Sequence, residues 1–279
     1  MTSQLKTLLL LSGLSGLILL LGGLAGGREG LFMAFALALL MNLGSYWFSD
    51  KIVLSMYSAR ELSPGDAPLL HRLVDELARN AGIPKPRVCV TPDEAPNAFA
   101  TGRNPEHAVV AVTEGLLRLL DTEELRGVLA HEIGHIANRD ILIQSVAGVL
   151  GTVIMLLASM ARFTAIFGGR DRENNNPLAL ILMAVLAPLA ATLIQMGISR
   201  SREYLADASG ARYSGNPRAL ASALGKLQAY GRKIPLRRES PATAHMFIVN
   251  PLSGLSLNKL FSTHPPVEER IERLLRLSR

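Results

Sequence analysis

Five consecutive residues, His131-Glu132-Ile133-Gly134-His135, carry a recognisable chemistry. Histidines four apart on a helix stand one turn above the other on one face, so both imidazoles reach a single metal ion. A glutamate directly after the first histidine can take a proton from a metal-bound water. The spacing predicts a helix over 122–138. Asp121 or Thr122 serves as its N-cap, Glu123 and Glu124 suit the positive end of its dipole, and Leu125, Val128 and Leu129 give it apolar periodicity.

A hydrolytic zinc needs three protein ligands and one open position for water. The stretch Arg202-Glu203-Tyr204-Leu205-Ala206-Asp207 supplies a candidate third ligand. On a helix Glu203 and Asp207 share a face, where like charges cost a few tenths of a kcal/mol if merely solvated. Function supplies a reason for the pair: Glu203 binds the metal and Asp207 accepts the outer N–H of a ligand histidine, fixing its tautomer. The bland alternative is a solvated face with Arg200 and Arg202 as ion partners. His264, before Pro265 and Pro266 at the start of a last amphipathic helix, is placed to donate to a developing oxyanion. His71, His107 and His245 have no spacing to the site and read as structural or solvated.

The elements that must position these groups begin with apolar runs. In 279 residues, hydrophobic types reach 49% while aromatics are only 5%, and the mean hydropathy is +0.26. The excess gathers at 5–24, 30–48, 141–167 and 178–198, each close to the roughly twenty residues a bilayer core requires. The first two, joined by Gly26-Gly27-Arg28-Glu29, read as a helical hairpin in preference to a cleaved signal peptide. Tyr46 and Trp47 suit the headgroup layer near the end of the second. A buried hairpin of a soluble core is the competing reading for 141–198.

Between the runs, 67–80 has helical periodicity ended by Gly82 and Pro84, and 87–90 and 107–112 read as strands. Asn97, Ala98, Phe99, Ala100 and Thr101, bounded by Pro96 and Gly102, suit an edge strand that could hold an extended substrate by main-chain hydrogen bonds. The divisions expected are a hairpin at 1–50, half of a catalytic domain at 51–140, a second hairpin at 141–198, and the other half at 199–279. The two polar segments then share one side of the membrane. The positive-inside bias between the two sides is weak, and the bulk of the polar segments and the lack of disulfides agree with a cytoplasmic side for them.

The net charge of +6 fits anionic lipid headgroups better than nucleic acid, for which no zinc-finger spacing, aromatic strip or dense basic helix is present. Cys89 is the one cysteine, which excludes an intrachain disulfide and a thiolate cage; it reads as a buried apolar residue.

These motifs together resemble the HtpX family of membrane-embedded zinc metalloproteases and, more distantly, the CaaX prenyl proteases. The likeness covers the paired N-terminal runs, Asn97 to Gly102, His131 to Asp140, Glu203 to Asp207, and His264-Pro265-Pro266 with Arg270. It implies one zinc per subunit held by His131, His135 and Glu203, and Glu132 as general base. It also implies Asp207 behind a ligand, His264 as transition-state donor and Arg270 as a supporting cation. The fold implied is an α-helical membrane protein with four transmembrane helices and a mainly α, zincin-like domain carrying a small β-sheet. The implied activity is endoproteolysis of membrane proteins in quality control, by a multi-pass protein of the bacterial inner membrane. An intramembrane-cleaving protease and a non-catalytic scaffold with structural zinc are the alternatives.

Overall fold

The computed structural model describes residues 3–152, 200–231, 247–248 and 265–278. Helix α1 (Ser3–Met56) folds back on itself at Gly26 and Gly27, the latter with φ 56°. Only glycine adopts such a backbone without strain. The arms then meet so closely that a Cβ on Gly30 would overlap the Gly22 carbonyl oxygen. Lower down, the Asn42 amide donates to the Ser15 hydroxyl at 2.8 Å across the hairpin. The outer face stays apolar and open, with Phe32, Met33 and Leu40 69–75% exposed, a surface suited to lipid rather than water.

Among the described residues one helical stretch, Gly26–Met56, is long and apolar enough to cross a membrane. Two shorter apolar ones are Thr7–Leu20 and Ile141–Thr152 (α5). The expected span at 178–198 and most of that at 141–167 lie outside the described residues. Helix α5 packs through Val146 and Leu150 on Leu10 and Leu14 of α1.

Strands β1 (Arg60–Glu61), β2 (Arg87–Thr91), β3 (Ala98–Thr101) and β4 (Val109–Thr113) form one sheet in the order β1-β2-β4-β3. Strands β2 and β4 run parallel, while β1 and β3 are antiparallel to their neighbours. β4 starts two residues later than its apolar pattern predicts. The reason is local: Asn104 caps a 3₁₀ turn at Pro105–His107 by accepting the His107 N–H at 3.1 Å. Alternation divides the strand residues between two cores. Val88, Val90, Ala98, Ala100, Val110 and Val112 join the main helical core. Cys89, Phe99, Val109 and Ala111 meet Val53 of α1 and Val149 of α5. The sheet therefore couples the main helical core to the apolar hairpin. Burial pushes the Cys89 thiol up to about 11, as befits a packing residue.

Helix α2 (Pro68–Ala81) buries Leu70, Leu73, Val74 and Leu77, and Gly82 ends it with φ 68° and its N–H on the Arg79 carbonyl. After α3 (Glu114–Leu119), helix α4 (Thr122–Ala137) opens with a reciprocal cap. The Asp121 carboxylate accepts the Glu124 N–H at 2.9 Å, and Glu124 accepts the Asp121 N–H at 3.1 Å. Among the described residues, α6 (Arg200–Ser214), α7 (Pro217–Gly231) and α8 (Val267–Leu277) follow.

A close crossing joins α4 to α6. A Cβ on Gly210 would stand 2.8 Å from the His131 nitrogen, and one on Gly134 would stand 3.0 Å from the Ala206 carbonyl oxygen. Backbone, not a flexible side chain, fills both positions, so neither neighbour can give way. Gly210→Val should therefore force the helices apart, with a destabilisation of about 1–3 kcal/mol and reduced zinc content. Thermal unfolding and elemental analysis of the detergent-solubilised protein read both, and an unchanged transition with full zinc would contradict this packing.

Candidate metal centre

The crossing of α4 and α6 brings His131, His135 and Glu203 together. One donor atom from each lies within 4.8 Å of the other two, and all three residues are buried. The His131 Nε2 stands 3.8 Å from Glu203 Oε2, and His135 Nε2 stands 3.4 Å from Glu203 Oε1. A tetrahedral ion with bonds near 2.1 Å holds its ligands about 3.4 Å apart. Two imidazoles and one carboxylate at these separations fit zinc and leave a fourth position for water.

Each histidine is held from behind. His131 Nδ1 lies 2.9 Å from Asp207 Oδ1, the contact expected for Asp207. His135 Nδ1 lies 3.4 Å from Asp140 Oδ2. With the Nδ1 atoms facing carboxylates, both Nε2 atoms are directed toward Glu203, the arrangement that fixes a ligand tautomer.

Arginines stand behind both carboxylates. Arg270, fully buried, donates from Nε and Nη2 to the two oxygens of Asp207 at 2.8 and 2.7 Å, and from Nη1 to the Ile248 carbonyl at 2.7 Å. Arg202 Nη1 stands 3.8 Å from Asp140 Oδ1. The bland alternative of a solvated face paired with Arg200 and Arg202 does not describe Asp207: its buried carboxylate pairs with Arg270, the residue that the family resemblance implies as a supporting cation. Burial would raise the Asp207 carboxyl, but Arg270 and His131 outweigh it and hold it below the ordinary carboxylate range.

Asp140 is the residue that sequence reasoning assigned no role. It lies just past the end of α4, where Arg139 adopts a left-handed backbone with φ 58° and turns the chain under His135. The available signal was an acid directly after the metal helix.

Glu132 is 4% exposed. Burial pushes its carboxyl up to about 8, with Glu203 adding to the rise, while His135, Arg270 and a hydrogen bond from the Ala100 N–H work against it. That bond shows that β3, the last strand of the sheet, turns main-chain donors toward the metal helix. All four β3 residues are 0–3% exposed, so an added strand would need room that this conformation does not offer. Asn97 is committed elsewhere: its carbonyl accepts the Thr113 N–H at 2.9 Å and its side chain accepts the Ile248 N–H at 3.2 Å. His264 and His245 lie outside the described residues. His71 Nε2 is engaged by the Leu62 carbonyl at 3.0 Å, and His107 Nδ1 by Asn104 at 2.7 Å, both away from the centre.

The two ligand histidines differ in charge. Burial holds His131 below its ordinary value despite Asp207. At His135 burial acts in the same sense but is overcome by Asp140 and Glu203, which push it up to about 10. Without metal, His135 therefore carries a proton at neutral pH. Zinc must displace it and, by its charge, also favours ionisation of the neighbouring Glu132 carboxyl, so affinity should rise with pH through the neutral range. Calorimetry in buffers of different ionisation enthalpy should show about two protons released per zinc near pH 7, one from His135 and one from Glu132; binding with no proton released would contradict this.

Comparison with known proteins bears on the same residues. The family model "Peptidase family M48" matches residues 64–278. A protein named protease HtpX homolog from Syntrophobacter fumaroxidans is 57% identical, over 98% of this chain and 99% of its own length. A protein of the same name from Pyrococcus furiosus is 59% identical, over 98% and 95%. Such relatives thus occur in both bacteria and archaea. Among solved structures, the crystal structure of S. mikatae Ste24p superposes with a TM-score of 0.52 at 20% identity, covering 97% of this chain and 65% of that one. That likeness is one of fold.

Proposed function

Because the chain belongs to peptidase family M48 and is a zinc metallopeptidase, we propose that it is a membrane-bound endopeptidase. Its substrates are membrane proteins, misfolded or damaged ones among them, and unfolded polypeptides. The observation that carries this reading is the Glu132 carboxyl, buried beside the metal ligands and hydrogen-bonded to the Ala100 N–H of an edge strand.

His131, His135 and Glu203 hold the zinc. When bound, zinc polarises the scissile carbonyl and acidifies water at the open position. Glu132 takes the proton of the attacking water and returns it to the leaving amine. A carboxyl whose burial raises its pKa toward neutrality suits both halves of that task, and a nearby divalent charge keeps it ionised beforehand. Asp207 and Arg270 hold the His131 ring in place, so that ligand does not reorient during turnover. His264 donates to the negative charge developing on the carbonyl oxygen, an interaction worth about 3 kcal/mol for one such donor. Ala98, Phe99, Ala100 and Thr101 align the substrate as an added strand once their covered edge opens. With Asn97 held by Thr113 and Ile248, its part is to anchor that strand.

The N-terminal hairpin serves as membrane spans in this reading, with the catalytic body on the cytoplasmic side. Two observations favour it over an intramembrane-cleaving protease. The metal helix opens with an acidic capping box, and its Arg126 pairs with Glu76 at 2.5 Å, both features of an aqueous boundary. Against a structural-zinc scaffold stands the donor count. Among the described residues the group offers three protein ligands, whereas a structural site closes all four positions.

Glu132→Gln should retain zinc and lower cleavage of a casein-like substrate by about 10²–10⁴-fold; turnover at the parental rate would remove Glu132 as the base. Glu203→Ala should lose the metal as well as the activity, and unchanged zinc stoichiometry would refute its role. Chelator-sensitive self-cleavage in detergent separates an enzyme from a scaffold.

A further inference from the structure

Arg103 and Arg139 stand where the catalytic body meets the apolar hairpin, and neither belongs to the metal centre. Both line a cavity of about 380 Å³ together with Leu8, Leu11, Leu142 and Tyr46, and among the described residues no acidic one contributes to its wall. Among the described residues neither guanidinium has an ion-pair partner; Arg103 instead lies 4.5 Å over the Trp47 ring. Arg103 also lines a second cavity, of about 570 Å³, whose wall is of mixed charge, with Asp50 and Glu106 beside Lys51, Lys85 and Arg87.

The level of this cavity follows from the turn of α1. Thr7 and Tyr46 lie 20 and 19 residues from Gly27. At 1.5 Å per residue this is about 30 Å, the thickness of a bilayer's hydrocarbon core. With the turn at one membrane face, Tyr46 and Trp47 reach the opposite headgroup layer, where such rings are favoured. Leu8 and Leu11 then lie within the acyl region, and the two arginines are at phosphate level.

We propose that this cavity is a binding site for one anionic phospholipid. Its phosphate pairs with Arg103 and Arg139, and an acyl chain lies along Leu8, Leu11 and Leu142. The charge complementarity is one-sided, because two cations face a cavity to whose wall the described residues contribute no carboxylate. A bidentate guanidinium matches phosphate geometry. The site also abuts the strand facing Glu132. Arg103 follows Thr101 by two residues, and the Thr101 hydroxyl is bonded to Ser145 of α5 at 2.8 Å. Gly102 between them has φ 136°, and a Cβ there would overlap the His107 carbonyl oxygen. Arg103 thus has little freedom to move without β3, and a lipid fixing Arg103 also braces that strand.

The test uses the full-length, zinc-loaded protein in nanodiscs of equal phosphatidylglycerol and phosphatidylcholine, with the retained lipid counted by native mass spectrometry. One phosphatidylglycerol should be retained per protein with about 30-fold preference, as two cations at phosphate level provide. Arg103→Gln should lower that preference about five-fold, while Arg103→Lys keeps most of it. Thermal unfolding in pure phosphatidylcholine checks that the variants are folded, and the wild-type lipid preference stands as a measurement that needs no variant. Equal retention of the two lipids overturns the proposal. So does an unchanged preference in folded Arg103→Gln protein. Displacement of the lipid by millimolar inorganic phosphate would also overturn it, since the cavity would then be a free-phosphate site.

Discussion

The structure depends on how closely two helices cross. Glu203 can meet the imidazoles of His131 and His135 only because Gly210 and Gly134 let the backbones of α4 and α6 come together without a Cβ between them. Small residues at such a crossing trade side-chain burial for close approach, and the loss is made up by polar contacts that only this approach allows. Asp207 reaches His131 at 2.9 Å, and Arg270 then closes on Asp207 through two bonds. A buried guanidinium is costly to desolvate unless its donors are matched. Here two donors go to Asp207 and one to the Ile248 carbonyl, so helix α8 is fixed to the centre by the same network that orients a ligand.

Much of this was legible before any coordinates. The spacing of His131 and His135, the cap at Asp121, the apolar periodicity of α2 and the end signalled by Gly82 each follow from local rules that tertiary context did not override. Glu203 and Asp207 were legible because like charges one turn apart need a reason. The edge position of Ala98 to Thr101 was legible from Pro96, Gly102 and alternation. The hairpin was legible because the short linker Gly26-Gly27-Arg28-Glu29 separates two long apolar runs.

What stayed hidden depends on contacts remote in sequence or on backbone states that residue type does not announce. Asp140 reaches His135 through a left-handed Arg139, a conformation that nothing in an arginine predicts. That Arg270 pairs with Asp207 through two bonds could not be read from local spacing, because the two are 63 residues apart and only the fold brings them together. Strand β1, two residues long, is too short to carry a pattern. The division of the sheet between a helical core and the feet of the hairpin could not be read either, since alternation shows two faces without showing what covers each.

The central claim is that one cation is shared by two imidazoles and a carboxylate contributed from the far side of an apolar segment. X-ray absorption at the zinc edge of the full-length protein tests this most directly. The account predicts a four-coordinate shell of nitrogen and oxygen, with outer-shell scattering from two imidazoles and no sulfur. A shell containing one imidazole, a sulfur ligand, or six-coordinate aquo zinc would contradict it.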